Sequence, residues 1–143
     1  MAHSDYFVHS APLRWSDRGA HGGIDDIAQI GLVREAVLAF LEPRPDVFPY
    51  GVTFVRHDVE FHRELGHRRE PLPIEIWVDR IRDRSFRLQS RARAGGAAVL
   101  SAKSVIVARE VAPDRRVLSR PLNAAEREYL QGFEIPKLRR RPS

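Results

Sequence analysis

The sequence predicts an α+β fold in which one antiparallel sheet curls around one long helix. Two observations lead there. Residues 24–42 make a helix-length run whose apolar side chains point in nearly every direction, and a helix apolar all round has to be buried. The chain after it divides into runs of period-two alternation joined by short turns, the pattern of antiparallel strands. A chain of 143 residues has one core, so those strands are what must enclose the helix.

In chain order, residues 6–13 (YFVHSAPL) read as a short strand leading into Arg14-Trp15-Ser16-Asp17. The loop RGAHGG follows, with Gly19, Gly22 and Gly23 inside five residues. Such a loop needs unusual backbone angles or the close approach of a ligand. The helix over 24–42 has about five turns and meets no proline before Pro43. Its few polar residues are Asp25, Asp26, Gln29, Arg34, Glu35 and Glu42.

Four strand-like runs come next. Over 52–63, Thr53, Val55, His57, Val59 and Phe61 share one face. Over 72–82, Ile74, Ile76 and Val78 oppose Trp77 and Ile81, and over 85–93, Phe86, Leu88 and Ser90 oppose Arg87, Gln89 and Arg91. The run over 97–109 is nearly continuously apolar at its end. Turns are expected at Asp83-Arg84, Gly95-Gly96 and Pro113-Asp114. Asn123 with Glu126 three residues on reads as a capping box opening a short terminal helix. Residues 1–135 are expected to form one domain, with 136–143 a basic, disordered tail.

Composition narrows the function classes. There is no cysteine, which excludes disulfides, a thiolate metal site and a cysteine nucleophile. No apolar run approaches the roughly 20 residues of a membrane span, and no secretory pattern opens the chain, so a cytoplasmic protein is expected. The net charge is +5, and 22 of the 24 basic residues are arginine. Arginine suits a phosphate-bearing ligand, although most of these side chains can equally coat a solvated surface. The one dense basic run, Lys137 to Arg141, is no basis for nucleic-acid binding. His57 and His62 are an odd number of residues apart and fall on opposite strand faces, so no metal site is expected.

Three stretches carry a resemblance. Arg14-Trp15-Ser16-Asp17-x-x-Ala20-x-Gly22, Glu35-Ala36 in mid-helix, and the run from Trp77 to Leu88 with its Ser85-Phe86-x-Leu88 pattern occur in order and at fitting spacing. In these the chain resembles the 4-hydroxybenzoyl-CoA thioesterase-like branch of the hotdog acyl-CoA thioesterases, over about residues 6–130. The resemblance implies the hotdog fold and hydrolysis of an acyl-CoA thioester, with no cofactor beyond the coenzyme A of the substrate. It also implies a homodimer or a dimer-based tetramer, with sheets joined edge to edge and substrate held between subunits. The sequence departs from the family at a decisive place. The family's second aspartate in D-x-D-x-x-G is the catalytic carboxylate; Asp17 matches the first, but Gly19 stands at the second. A His-Val-Asn-Asn found in many relatives reads Gly23-Ile24-Asp25-Asp26.

Thioester hydrolysis needs donors for a developing oxyanion and a carboxylate that attacks or activates water. A glycine-rich loop opening a helix supplies the first, with Gly22 and Gly23 the expected providers. For the second, Asp25 and Asp26 lie in the first turn, where acids also cap free N–H groups; both readings stay open. Asp17 reads as a loop-anchoring residue. His21 either orients water or is solvated, and Glu35 reads as a buried partner, at a dimer interface in the dimeric reading. Arg82, Arg84 and Arg87 with Ser85 surround the turn expected to meet the nucleotide phosphates. Phe61 and Trp77 either line an acyl pocket or pack in the core. Two rival readings are a hotdog protein that binds acyl-CoA or acyl-carrier thioesters without turnover, and a hydratase or dehydratase pairing His21 with Asp25 or Asp26.

Overall fold

The computed structural model describes residues 6–14, 18–19, 22–42 and 44–135. Their elements are β1 (Phe7–Ala11), α1 (Asp26–Leu41), β2 (Val52–Phe61), β3 (Leu72–Ile81), β4 (Ser85–Ala94), β5 (Ala97–Val111), β6 (Val117–Ser119) and α2 (Ala124–Gln131). The sheet runs β1-β3-β4-β5-β2, with β6 on β5, and its neighbours are antiparallel. Among the described residues β2 has β5 as its one strand neighbour, so its other edge is open. Three-residue β6 was not anticipated; its alternation is too short to read.

Side chains in register across the strands build the floor on which α1 lies. Ile76, Ser90, Ala102 and Val59 form one row, and Val78, Leu88, Ser104 and His57 the next. Leu32, Val33, Ala36, Val37 and Phe40 of α1 are buried against this floor. Two bulges correct the expected facing. One between Phe54 and Arg56 turns Phe54 inward in place of Val55, which is exposed. The other, between Val78 and Arg80, puts Ile81 in register with Phe86 and against the core.

The expectation that α1 is enclosed on all sides is also corrected. Ile27 is 78% exposed and Ile30 36%, and Gly31, Arg34 and Glu35 continue that flank at helical spacing. One curved sheet covers one face of a helix; it cannot close over the opposite one. Glu35, expected to be buried, is exposed and pairs with His9 Nε2 at 3.0 Å. The helix also starts two residues late, because Asp25 Oδ2 caps the Ile27 N–H at 3.1 Å. Ile24 instead donates its N–H to Leu65 O at 2.7 Å.

The capping box of α2 forms as read: Asn123 Oδ1 accepts from Glu126 N, and Glu126 Oε1 accepts from Asn123 N. The buried Glu126 carboxylate also accepts from Phe48 N at 2.8 Å and from both terminal nitrogens of Arg120 at 2.9 and 2.7 Å. It thereby ties α2 to the loop between α1 and β2. The Tyr129 hydroxyl adds a tie by donating to Phe40 O, and burial pushes its pKa up to about 12.

Burial alone would raise the Glu126 pKa, but Arg120 and the N–H groups of Asn123 and Phe48 outweigh it and hold the carboxyl below its ordinary value. A depressed carboxyl contributes stability above its unfolded pKa, and that stability is lost as pH falls through the folded one. Glu126→Gln is expected to cost about 3 kcal/mol at neutral pH and to flatten the acid limb of stability. Urea denaturation at neutral pH and below the carboxylate range checks both.

Candidate active site

A cavity of about 420 Å³ opens at the N-terminus of α1. Gly19, Gly23, Ile24, Asp25, Asp26 and Gln29 line it from the glycine loop and helix, and Phe61, His62, Arg63 and Glu64 from the end of β2. The loop is held in place by its own backbone. Gly19 N donates to Gly23 O at 2.7 Å and Gly22 N to Gly19 O at 3.1 Å, with Gly22 at φ +86°. That bond engages the Gly22 N–H, one of the two expected oxyanion donors, within the loop itself. The Gly23 N–H has no acceptor among the described residues and stands at the positive end of α1.

Gly23 needs no special backbone angle. Its requirement is space: a Cβ there would lie 3.0 Å from Glu64 Oε2 and 3.3 Å from Leu65 O. A carboxylate from forty residues downstream therefore rests on the glycine loop. Asp25 makes the corresponding contact on the other side. Its Oδ2 caps the helix, while its Oδ1 lies 3.5 Å from where a Cβ on Gly19 would be. Asp26 lines the same cavity and is exposed. Asp17 and His21 lie outside the described residues.

Gln29, His62, Arg63 and Glu64 line the cavity without having been assigned to a site by the sequence reading. Glu64 carries no local signal, since it follows β2 and meets the loop through tertiary pairing of Ile24 with Leu65. Gln29 did leave one: it is a polar residue one turn after Asp25 in an otherwise apolar stretch. Phe61 lines the cavity. Trp77 is buried on the opposite face of the sheet, with its ring 5.1 Å from Tyr6 and the Arg91 guanidinium 5.0 Å above it.

The arginine cluster forms with one exchange. A second cavity of about 310 Å³ is lined by Arg80, Arg82, Ser85, Phe86, Arg87 and Val105. Arg84 turns away to donate to Ser119 O at 3.1 Å, and Arg80 takes its place because the β3 bulge sets it on the outer face. Arg87 donates to Asp79 Oδ1 at 2.7 Å, and this hydrogen bond raises its pKa. The two cavities lie at opposite ends of the strands. Phe61, Leu100, Ala92 and Ile74 mark one end and Phe54, Ile106, Phe86 and Ile81 the other, about 20 Å apart at strand rise. Among the described residues no group of three or more His, Asp or Glu is placed to hold a metal ion, and no helix is long and apolar enough to cross a membrane.

No family model and no curated protein sequence matches the chain. Solved structures do. The Dynemicin thioesterase, described with polyene binding, superposes with a TM-score of 0.80 at 13% identity, over 92% of this chain and 99% of that one. A thioesterase from Thermus thermophilus complexed with coenzyme A and Zn gives 0.73 at 17% identity, over 89% and 93%. A mutant 4-hydroxybenzoyl CoA thioesterase complexed with 4-hydroxybenzoyl CoA gives 0.74 at 15% identity, over 88% and 99%. The architecture is thus the hotdog fold, the fold that the residue pattern and the resemblance anticipated.

Gly23→Ala is expected to cost about 1 kcal/mol, because the methyl must displace Glu64 and crowd Leu65 O. Adding Glu64→Ala should recover part of that loss. A double-mutant cycle in urea measures the coupling.

Proposed function

We propose that the chain hydrolyses acyl-CoA thioesters in the cavity at the head of α1, with Asp25 as the acting carboxylate. The observation that carries this reading is the place of Asp25 Oδ1, 3.5 Å from where a side chain at position 19 would begin. The carboxylate missing from one strand of the loop is supplied from the other. Because Oδ2 is held by the Ile27 N–H, the charge has a fixed position and Oδ1 remains available.

The chemistry follows from those positions. The thioester oxygen accepts from the Gly23 N–H, so the negative charge that develops on it is met by a preorganised donor and the helix dipole. Asp25 Oδ1 takes a proton from water as the water oxygen bonds to the carbonyl carbon. The tetrahedral intermediate collapses, the C–S bond breaks, and the departing thiolate takes the proton from Asp25. The products are a free acid and coenzyme A.

Arg80, Arg82 and Arg87 are the proposed phosphate contacts, through bidentate guanidinium geometry. Their distance from the cavity within one chain favours a homodimer. Antiparallel pairing of two open β2 edges sets the arginine end of one subunit beside the cavity end of the other. The same association offers cover to the exposed Ile27 and Phe61.

Purified protein should release free thiol from an acyl-CoA, and Asp25→Asn/Asp26→Asn should abolish that release. Asp25→Asn alone is expected to lower kcat about 100-fold or more with little change in KM. Adding Gly19→Asp to Asp25→Asn should restore turnover. Binding of acyl-CoA without any release of thiol would replace the hydrolase reading with the binding one.

A further inference from the structure

Asp79 is the residue that the β3 bulge adds. Val78 pairs with Leu88 and Arg80 with Arg87, so Asp79 has no partner in the register with β4. A bulge re-aims the side chain it inserts. The chain after α2 clamps this one from the other edge, with Val78 N donating to Phe133 O and Ile135 N to Val78 O, both at 3.0 Å. The Asp79 side chain is 0% exposed. Its Oδ1 accepts from Arg87 Nε at 2.7 Å and its Oδ2 from Gln89 Nε2.

The way Arg87 is held sets this pair apart from Arg120 and Glu126. The Glu126 carboxylate takes both terminal nitrogens of Arg120 and uses up the guanidinium fork. Asp79 takes Arg87 by Nε alone. Neither terminal nitrogen of Arg87 has a hydrogen-bond partner among the described residues, and neither is sealed from solvent. A two-pronged donor is thus left on a residue that lines the cavity with Arg80, Arg82 and Ser85. Arg80 and Arg82 are exposed and have no acid partner among the described residues. Taking up a ligand immobilises such side chains, at a cost for each one ordered; Arg87 is ordered beforehand. We infer that Asp79 is a positioning residue that presents the Arg87 fork to a phosphate of coenzyme A, an inference that rests on the phosphate contacts proposed above. Orientation and charge act in opposite directions here. The Asp79 carboxylate subtracts from the positive charge that attracts an anion, so what it supplies to the site is geometry.

The test uses the full chain in calorimetric titrations with coenzyme A and with pantetheine, which lacks the phosphates. Neither probe is turned over, so the outcome is independent of hydrolysis. Wild-type protein should bind coenzyme A more tightly than pantetheine. Asp79→Ala should weaken coenzyme A binding about 10-fold without weakening pantetheine binding, even though the site becomes more positive. Arg87→Ala should also weaken coenzyme A binding. Adding Asp79→Ala to it should cause no further loss, because Asp79 acts through Arg87. Equal or tighter coenzyme A binding by Asp79→Ala would overturn the inference. So would a further loss in the Arg87→Ala background, or equal losses for both probes, which would leave the pair a structural role alone. If Asp79→Ala fails to unfold cooperatively, Asp79→Leu keeps the side-chain volume and is judged by the same outcomes. A wild-type protein that binds coenzyme A no more tightly than pantetheine fails the phosphate contacts and takes this inference with them. A preference for coenzyme A that Asp79→Ala leaves intact retires only the role of Asp79.

Discussion

Packing of one face of α1 into the concave side of the sheet determines where everything else stands. Val33, Ala36, Val37 and Phe40 lose essentially all contact with solvent there, at roughly 1.5–3 kcal/mol for each large side chain. The rows formed by Ile76, Ser90, Ala102 and Val59, and by Val78, Leu88, Ser104 and His57, fix the direction in which the helix lies. Its N-terminus is consequently carried to the end of β2, where Leu65 O receives the Ile24 N–H and clamps the glycine loop. At the other end, the Glu126 carboxylate and the Tyr129 hydroxyl tie α2 to the loop after the helix and to the helix backbone itself. The cavity is a product of this placement, since its two walls are forty residues apart in the chain.

Within the cavity the glycines and acids are linked choices. An aspartate at 19 in addition to the one at 25 would set two carboxylates side by side, and like charges at such range suppress each other's ionisation. With Gly19 in place, no side chain at that position stands beside Asp25 Oδ1. Gly23 stands in the same relation to Glu64, because a methyl group there would collide with that carboxylate. Asp25 caps the helix through Oδ2 alone, while Oδ1 faces position 19, so capping leaves one of its oxygens outside the cap.

The extent of the fold that could be read from the sequence follows the range of the forces involved. Burial of α1 showed in its apolar surface, and β4 in the alternation of Phe86, Leu88 and Ser90 with Arg87, Gln89 and Arg91, because those patterns are local. The capping box at Asn123 was legible for the same reason. The bulges after Phe54 and Val78 were not, since each shifts the facing of a strand without altering its composition. The open flank of α1 was missed because apolarity tells how much surface wants cover but not whether the same chain supplies it; Ile27 looks alike in either case. In the site, Gly23, Asp25 and Asp26 could be singled out from the helix start. Glu64 could not, because its approach to Gly23 depends on a loop pairing with no sequence periodicity.

The account is tested most directly by a crystal structure with an acyl-CoA analogue in which a methylene replaces the sulfur, leaving the carbonyl intact and uncleavable. The ketone oxygen should lie within hydrogen-bond distance of the Gly23 N–H, with its carbon facing Asp25 Oδ1 across one ordered water. An analogue bound with that carbonyl away from the head of α1, and Asp25 touching nothing but its own helix, would contradict it.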